Sequence, residues 1–199
     1  MIMNDKKKKI EKELKEIKDK VLACKKCSLY KTRTCPVIGQ GNHQAKIIFI
    51  GEAPGAQEDR TGRPFCGEAG KILDELLESA GIKREEIYIC NILKCRPPGN
   101  RNPNKKEIDA CVPYLERQIK TIKPNAICTL GNYSTAYILK KYGLGGEIEG
   151  ISKIHGKIFS IDNIKIIPFY HPAVAAYNPN MKSILKEDFK LLKKYKNII

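Results

Sequence analysis

The feature that most constrains the fold is an alternation along the chain. Short aliphatic runs take turns with segments whose apolar residues recur every three or four positions. Lys46 to Ile50 is a compact aliphatic run that reads as a buried strand and ends in the turn-rich Gly51-Glu52-Ala53-Pro54-Gly55. Ile72, Leu73, Leu76 and Leu77 then mark a helix that stops at Gly81. The order repeats: strand-like Ile87 to Leu93, a helix over Asn104 to Ile122, a strand over Ala126 to Leu130 and a helix over Tyr133 to Tyr142. Lys157 to Ile161 and Ile164 to Phe169 read as two further short strands before a last helix from about Met181. Such alternation predicts an α/β fold of three layers, with a short, mainly parallel central sheet covered by helices on both faces. Neither an internal repeat nor a low-complexity linker divides the 199 residues, so one domain spanning 1–199 is expected.

A parallel sheet also predicts where a ligand sits, because ligands of open parallel sheets bind outside the carboxyl ends of the strands. Three loops meet that rule: the one carrying Glu52, the one carrying Asn91 and Cys95, and the one with Tyr170-His171-Pro172. Upstream of the sheet, Ile10, Leu14, Ile17 and Val21 lie at helical spacing among lysines and glutamates. They predict an amphipathic helix over 4–23 that runs into Cys24.

Charge narrows the partner. A surface rich in both Lys and Glu is what ion-pair networks of a hot habitat produce, but here Lys and Arg outnumber Asp and Glu 37 to 22, a formal charge of +15. Ion pairing does not require that excess, and a field of this sign attracts polyanions, of which nucleic acid is the commonest in a cytoplasm. No apolar leader core or membrane-length stretch is present, so a cytoplasmic protein without a membrane partner is expected.

Eight cysteines in a reducing compartment point to ligands, buried small hydrophobes or reactive thiols ahead of disulfides, intracellular proteins of hyperthermophiles being the exception. Cys24 and Cys27 form a C-x-x-C pair, while Cys95 and Cys111 lie far downstream with fifteen residues between them. Zinc sites usually draw on two close pairs, whereas a four-cysteine iron–sulfur cluster tolerates uneven spacing. A lone C-x-x-C is equally a redox dithiol or a turn, and Cys35 competes for a ligand position on spacing alone. Cys90 and Cys128 fall within apolar strand patterns and read as core.

Three separated motifs then fall together: GEAPGAQEDRTGRPFCGEAG from Gly51 to Gly70, CNILKCRPPGNRNP from Cys90 to Pro103, and His171-Pro172-Ala173. With the four-cysteine pattern, the chain resembles the type-4, iron–sulfur uracil-DNA glycosylases of archaea and thermophilic bacteria, from Cys24 to the final helix. The resemblance implies a uracil-DNA glycosylase-like fold and removal of uracil from DNA by hydrolysis of the N-glycosidic bond of a flipped-out deoxyuridine. It implies a structural 4Fe-4S cluster on Cys24, Cys27, Cys95 and Cys111, leaving Cys35 and Cys66 outside the ligand set. Cys66 stands where the family more often has an aliphatic residue.

By the same resemblance, Phe65 stacks on the base, Asn91 pairs with the uracil edge and His171 stabilises the leaving uracil. Glu52 assists the water and the sugar cation, and the loop backbone at Ala53 lines the pocket. Taken without the motif, Phe65 would read as core, Asn91 as a strand-end turn residue and His171 as a turn histidine. Glu58 and Asp59, read on the same loop, are second candidates for handling water, the plainer alternative being a solvated loop or a helix cap. Arg96, Arg101 and Asn102 are candidates for phosphate contacts, or else an ordinary surface loop. Val174 and Tyr177 are candidates for filling the gap a flipped base leaves. The expected partner is uracil-containing DNA, single- or double-stranded, bound by a monomer; the sequence carries no signal that names repair or replication proteins as further partners.

Competing readings are sister enzymes and a non-catalytic module. Type-5 relatives generally lack the acid at Glu52, and uracil-linking relatives carry a Lys-Arg-Arg-Ile-His insert where this chain reads RPPGNRNP. An iron–sulfur nucleic-acid-binding module, such as a polymerase accessory factor, would keep the lysines and cysteines without needing Glu52, Asn91 and His171 together.

Overall fold

The computed structural model describes residues 2–195. Six strands form one sheet: β1 (Gln40–Gly41), β2 (Ile47–Gly51), β3 (Tyr88–Asn91), β4 (Ala126–Leu130), β5 (Phe159–Ile161) and β6 (Ile164–Phe169), in the order β1-β3-β2-β4-β6-β5. The inner pairs β3–β2, β2–β4 and β4–β6 are parallel, and the edge pairs β1–β3 and β5–β6 are antiparallel. The sheet is thus mainly parallel, as the alternating pattern predicts.

Strand periodicity sorts the apolar runs onto two faces. Ile48 and Ile50 of β2, with Cys90, Ile127 and Ile166, join one core. On that side lie α1 (Ile2–Leu22), α4 (Lys105–Ile122) and α5 (Asn132–Lys141), contributing Leu14, Ile17, Leu115, Ile119, Ile138 and Leu139. Ile47 and Phe49 of the same strand face the other core, with Cys128, Ile167 and Phe169, under α3 (Glu68–Ser79) and α8 (Met181–Tyr195). There Phe189 stacks on Phe49 with ring centroids 5.8 Å apart. Cys90 and Cys128 are fully buried, in line with their reading as core residues. Among the described residues no helix is long and apolar enough to cross a membrane.

Three differences from the sequence pattern bear on the site. β3 ends at Asn91, short of Leu93, because Ile92 and Leu93 turn their N–H groups to the Gly51 and Glu52 carbonyls, clamping the two loops together. The stretch carrying Glu58 and Asp59 is a short helix, α2 (Ala56–Thr61), where a loop was expected. Two further one-turn helices, α6 (Ile151–Ile154) and α7 (Val174–Tyr177), escape the periodicity, being too short to show one. The N-terminal helix spans Ile2–Leu22 against the expected 4–23, and Asn104 caps α4, its side chain accepting from the Glu107 N–H while Glu107 answers the Asn104 N–H.

Candidate active site and cysteine pocket

The carboxyl ends of β2, β3 and β6 open onto one cleft of about 540 Å³. Glu52, Ala53, Phe65, Asn91 and His171 all line it, so the three loops singled out by topology do converge. Asn91, at the end of β3, is buried, and its Oδ1 is the only buried side-chain oxygen or nitrogen among the described residues without a hydrogen-bond partner. A buried amide left unpaired costs free energy in the empty site and is well placed to receive a ligand. Gly51 makes room for it: a Cβ there would lie 2.3 Å from Asn91 Oδ1 and 2.8 Å from the Phe65 ring. The Phe65 and His171 rings face each other at 5.6 Å with an interplanar angle of 29°.

The tautomer of His171 follows from its neighbours. The Ala173 N–H donates to Nδ1 at 3.2 Å, so the neutral ring carries its hydrogen on Nε2. Burial pushes the imidazole pKa down to about 4, against a smaller upward pull from the Glu58 carboxylate, and the ring is therefore neutral at physiological pH.

The carboxylates divide by their partners. Glu58 Oε1 accepts the Cys66 and Gly67 N–H groups, both at 3.0 Å, anchoring the start of α3. Asp59 is buried and accepts the Thr34 N–H at 3.1 Å. Glu68 stands on the exposed rim beside Lys71. Glu52 is half-buried, takes no side-chain hydrogen bond or ion pair among the described residues, and has its pKa raised by burial.

Around the mouth, Arg101 is committed to the buried Glu107 carboxylate by bonds of 2.9 and 2.6 Å, and Arg96 donates to Asn100 Oδ1 at 2.7 Å. Asn102 is exposed, its carbonyl accepting from Arg101. Val174 packs onto the core beneath α7, whereas Tyr177 stands 89% exposed at the rim of the cleft.

Cys24, Cys27, Cys95 and Cys111 line a second, separate pocket between the end of α1, the loop after β3 and α4. Cys35 and Cys66 do not line it. Among the described residues no three His, Cys, Asp or Glu side chains close around a single-ion position. Two N–H groups point at the sulfurs: Arg33 Nη1 to Cys95 Sγ at 3.2 Å and the Lys94 backbone to Cys111 Sγ at 3.1 Å. Arg33 further donates to the Leu22 carbonyl at 2.7 Å. The Lys94 side chain is buried, its Nζ donating to the Asn91 carbonyl at 2.8 Å and to Gln118 Oε1 at 2.6 Å. Neither cation has a carboxylate partner among the described residues; burial pushes the Cys95 and Cys111 thiols up, and Arg33 and Lys94 pull against it. Sequence reasoning overlooked Arg33 and Lys94, a single lysine inside the apolar run CNILKC being the one legible signal, whereas the helix-cap alternative for Glu58 agrees with its bonds at the start of α3.

A cleft at the carboxyl ends of a parallel sheet, with an unpaired amide, a neutral histidine and an open carboxylate, defines a class, and residues 38–194 match that class as the Uracil DNA glycosylase superfamily. Within it, the chain is 48% identical over 185 residues to a type-4 uracil-DNA glycosylase of Sulfurisphaera tokodaii, covering 90% of this chain and 83% of that one. It is 48% identical to the Saccharolobus solfataricus type-4 enzyme (89% and 83% covered) and 44% identical to that of Archaeoglobus fulgidus (89% and 90% covered). The chain belongs to the type-4 uracil-DNA glycosylases.

Proposed function

We propose that the protein hydrolyses the N-glycosidic bond of a flipped-out deoxyuridine in DNA, releasing uracil and leaving an abasic site for base excision repair. The observation that carries this reading is the buried, unpartnered Asn91 Oδ1 facing the Phe65 ring, with His171 and Glu52 on the same cleft. A base slid over Phe65 meets an amide that accepts from uracil N3–H and donates to O4. Cytosine offers the reverse pattern on that edge, so it would leave two buried polar pairs mismatched.

As the C1′–N1 bond breaks, its electron pair goes to the departing uracil, and the charge spreads onto O2. The His171 Nε2–H donates there, a fixed dipole aimed at charge that exists only late in the reaction. The sugar becomes cation-like, and the Glu52 carboxylate stabilises it and orients a water whose oxygen bonds to C1′ while its proton leaves to the carboxylate. Glu52 suits this task because Glu58 and Asp59 are already engaged by backbone N–H groups. The basic surface supplies long-range attraction to the strand, and Tyr177 is exposed at the rim where a displaced base leaves a gap.

The cysteine pocket supports a 4Fe-4S cluster held by Cys24, Cys27, Cys95 and Cys111. The donor set fits: four sulfurs, two N–H groups aimed at them, and two cations without carboxylates. Bound there, the cluster would act as a covalent staple joining α1, the loop after β3 and α4.

The test is release of free uracil from an oligonucleotide holding one deoxyuridine, followed by alkali. Strand scission at that position is expected, and an intact strand would leave only the non-catalytic nucleic-acid-binding reading.

A further inference from the structure

Phe65 stands in a backbone conformation that its side chain disfavours. Its φ is +48°, in the left-handed region that a bulky residue enters only when its surroundings hold it there. Two neighbours do so. Gly70, in the first turn of α3, passes so close beneath that a Cβ on it would lie 2.0 Å from the Phe65 carbonyl oxygen. Arg84, from the turn before β3, sends one nitrogen, Nη2, to both the Pro64 and the Phe65 carbonyl oxygens, at 2.8 and 2.9 Å. Its other nitrogen, Nη1, is held by the Asp74 carboxylate of α3.

We propose that Arg84 is a positioning residue for base recognition. By gathering two successive carbonyls on one side and Asp74 on the other, the guanidinium fixes the Phe65 backbone in its left-handed state. The ring is thereby held opposite His171, with centroids 5.6 Å apart. Arg84 does not line the cleft; it acts from behind, through Phe65. The planar fork of an arginine spans the carbonyl pair and the carboxylate together, which a lysine ammonium does with poorer geometry. Without the fork, Phe65 relaxes toward an ordinary φ and its ring leaves the stacking position. The inference rests on Phe65 being the stacking wall, and the test separates the two.

Single-turnover uracil excision and its inhibition by free uracil are measured for wild type, Phe65→Ala, Arg84→Ala, Arg84→Lys and the Phe65→Ala/Arg84→Ala double variant. The inhibition constant for uracil is expected to rise about tenfold in Arg84→Ala, the scale on which release of left-handed strain redistributes a loop. Arg84→Lys recovers part of the loss, and the double variant is no worse than Phe65→Ala, since residues acting through one another are not additive. If Arg84→Ala does not fold, Asp74→Ala, which frees the guanidinium, is expected to shift the constant the same way by a smaller factor. A lower Tm with wild-type uracil inhibition in the Arg84 variants, or additive losses in the double variant, overturns the proposal. An unchanged constant in Phe65→Ala overturns the stacking assignment itself and this proposal with it.

Discussion

Removing the imidazole of His171 tests the proposed chemistry most sharply. The Ala173 N–H on Nδ1 fixes the hydrogen on Nε2, and a pKa of about 4 leaves roughly 1% imidazolium at pH 6 and less above it. The donor is therefore a neutral N–H on a half-buried ring that lines the cleft. Loss of one such donor costs about 10²–10³ in rate, or ~2.7–4 kcal/mol, because the bond strengthens as charge moves onto the base. Affinity for the strand rests on contacts made before that charge develops, so Kd for a uracil-containing oligonucleotide should change by less than about threefold.

Single-turnover excision at saturating enzyme reads the first number, and fluorescence anisotropy at the same salt reads the second. His171→Gln, which restores an N–H donor, should recover part of the rate. Across pH 6 to 8 the wild-type rate should not fall as pH rises. A rate that falls as pH rises through that range, in wild type but not in His171→Ala, would show that an imidazolium does the work and would refute the reasoning. So would equal losses in rate and affinity. The same burial links His171 to stability. The unfolded chain takes up the proton first, so a penalty absent above the ordinary histidine pKa grows as pH falls toward about 4, reaching roughly 3 kcal/mol. His171→Ala should remove that acid sensitivity in thermal melts.

Glu52→Gln should lower the rate by about 10²–10⁴. Since burial raises the Glu52 pKa, the wild-type acid limb should lie above the ordinary carboxylate range, with activity rising through it, and the variant's pH–rate profile should lose that limb. Cys111→Ala should abolish the brown visible absorption of the purified protein and lower its Tm, because a cluster bound only by the folded state adds to folding free energy. Colourless wild-type protein carrying stoichiometric zinc would contradict the cluster. In Gly51→Ala the new methyl must displace Asn91 Oδ1 or the Phe65 ring, so kcat/KM should fall about 10- to 100-fold while most of the stability is kept. Wild-type kinetics would mean that the amide does not read the base.

Local pattern was enough for the sheet wherever an apolar run had sharp ends. Ala126 to Leu130 and Ile164 to Phe169 match β4 and β6 residue for residue. It failed at β3, where Ile92 and Leu93 are apolar enough to extend a strand, yet their N–H groups serve the neighbouring loop. The convergence of Glu52, Asn91 and His171 was legible because a parallel sheet gathers its carboxyl ends on one edge. Which carboxylate stays open was not legible. That depends on backbone N–H groups of Thr34, Cys66 and Gly67 finding Asp59 and Glu58, pairings that no periodicity encodes. Arg101 shows the same limit: the helix start at Asn104 is legible in sequence, but not that the buried Glu107 carboxylate also pairs with the exposed Arg101 guanidinium.

Lys94 gives the cysteine pocket a bearing on the cleft that a remote staple would lack. Its backbone N–H rests on Cys111 Sγ, while its buried ammonium rests on the carbonyl of Asn91, the residue proposed to read the base. Gln118 completes the link, accepting from the ammonium while its own amide donates to the Ile38 carbonyl and the Tyr88 hydroxyl. A buried ammonium held only by neutral acceptors is costly, and sulfur ligands carrying negative charge would offset that cost. Loss of the proposed cluster should therefore loosen the end of β3 before it disturbs the far sheet, and excision should fall ahead of global stability.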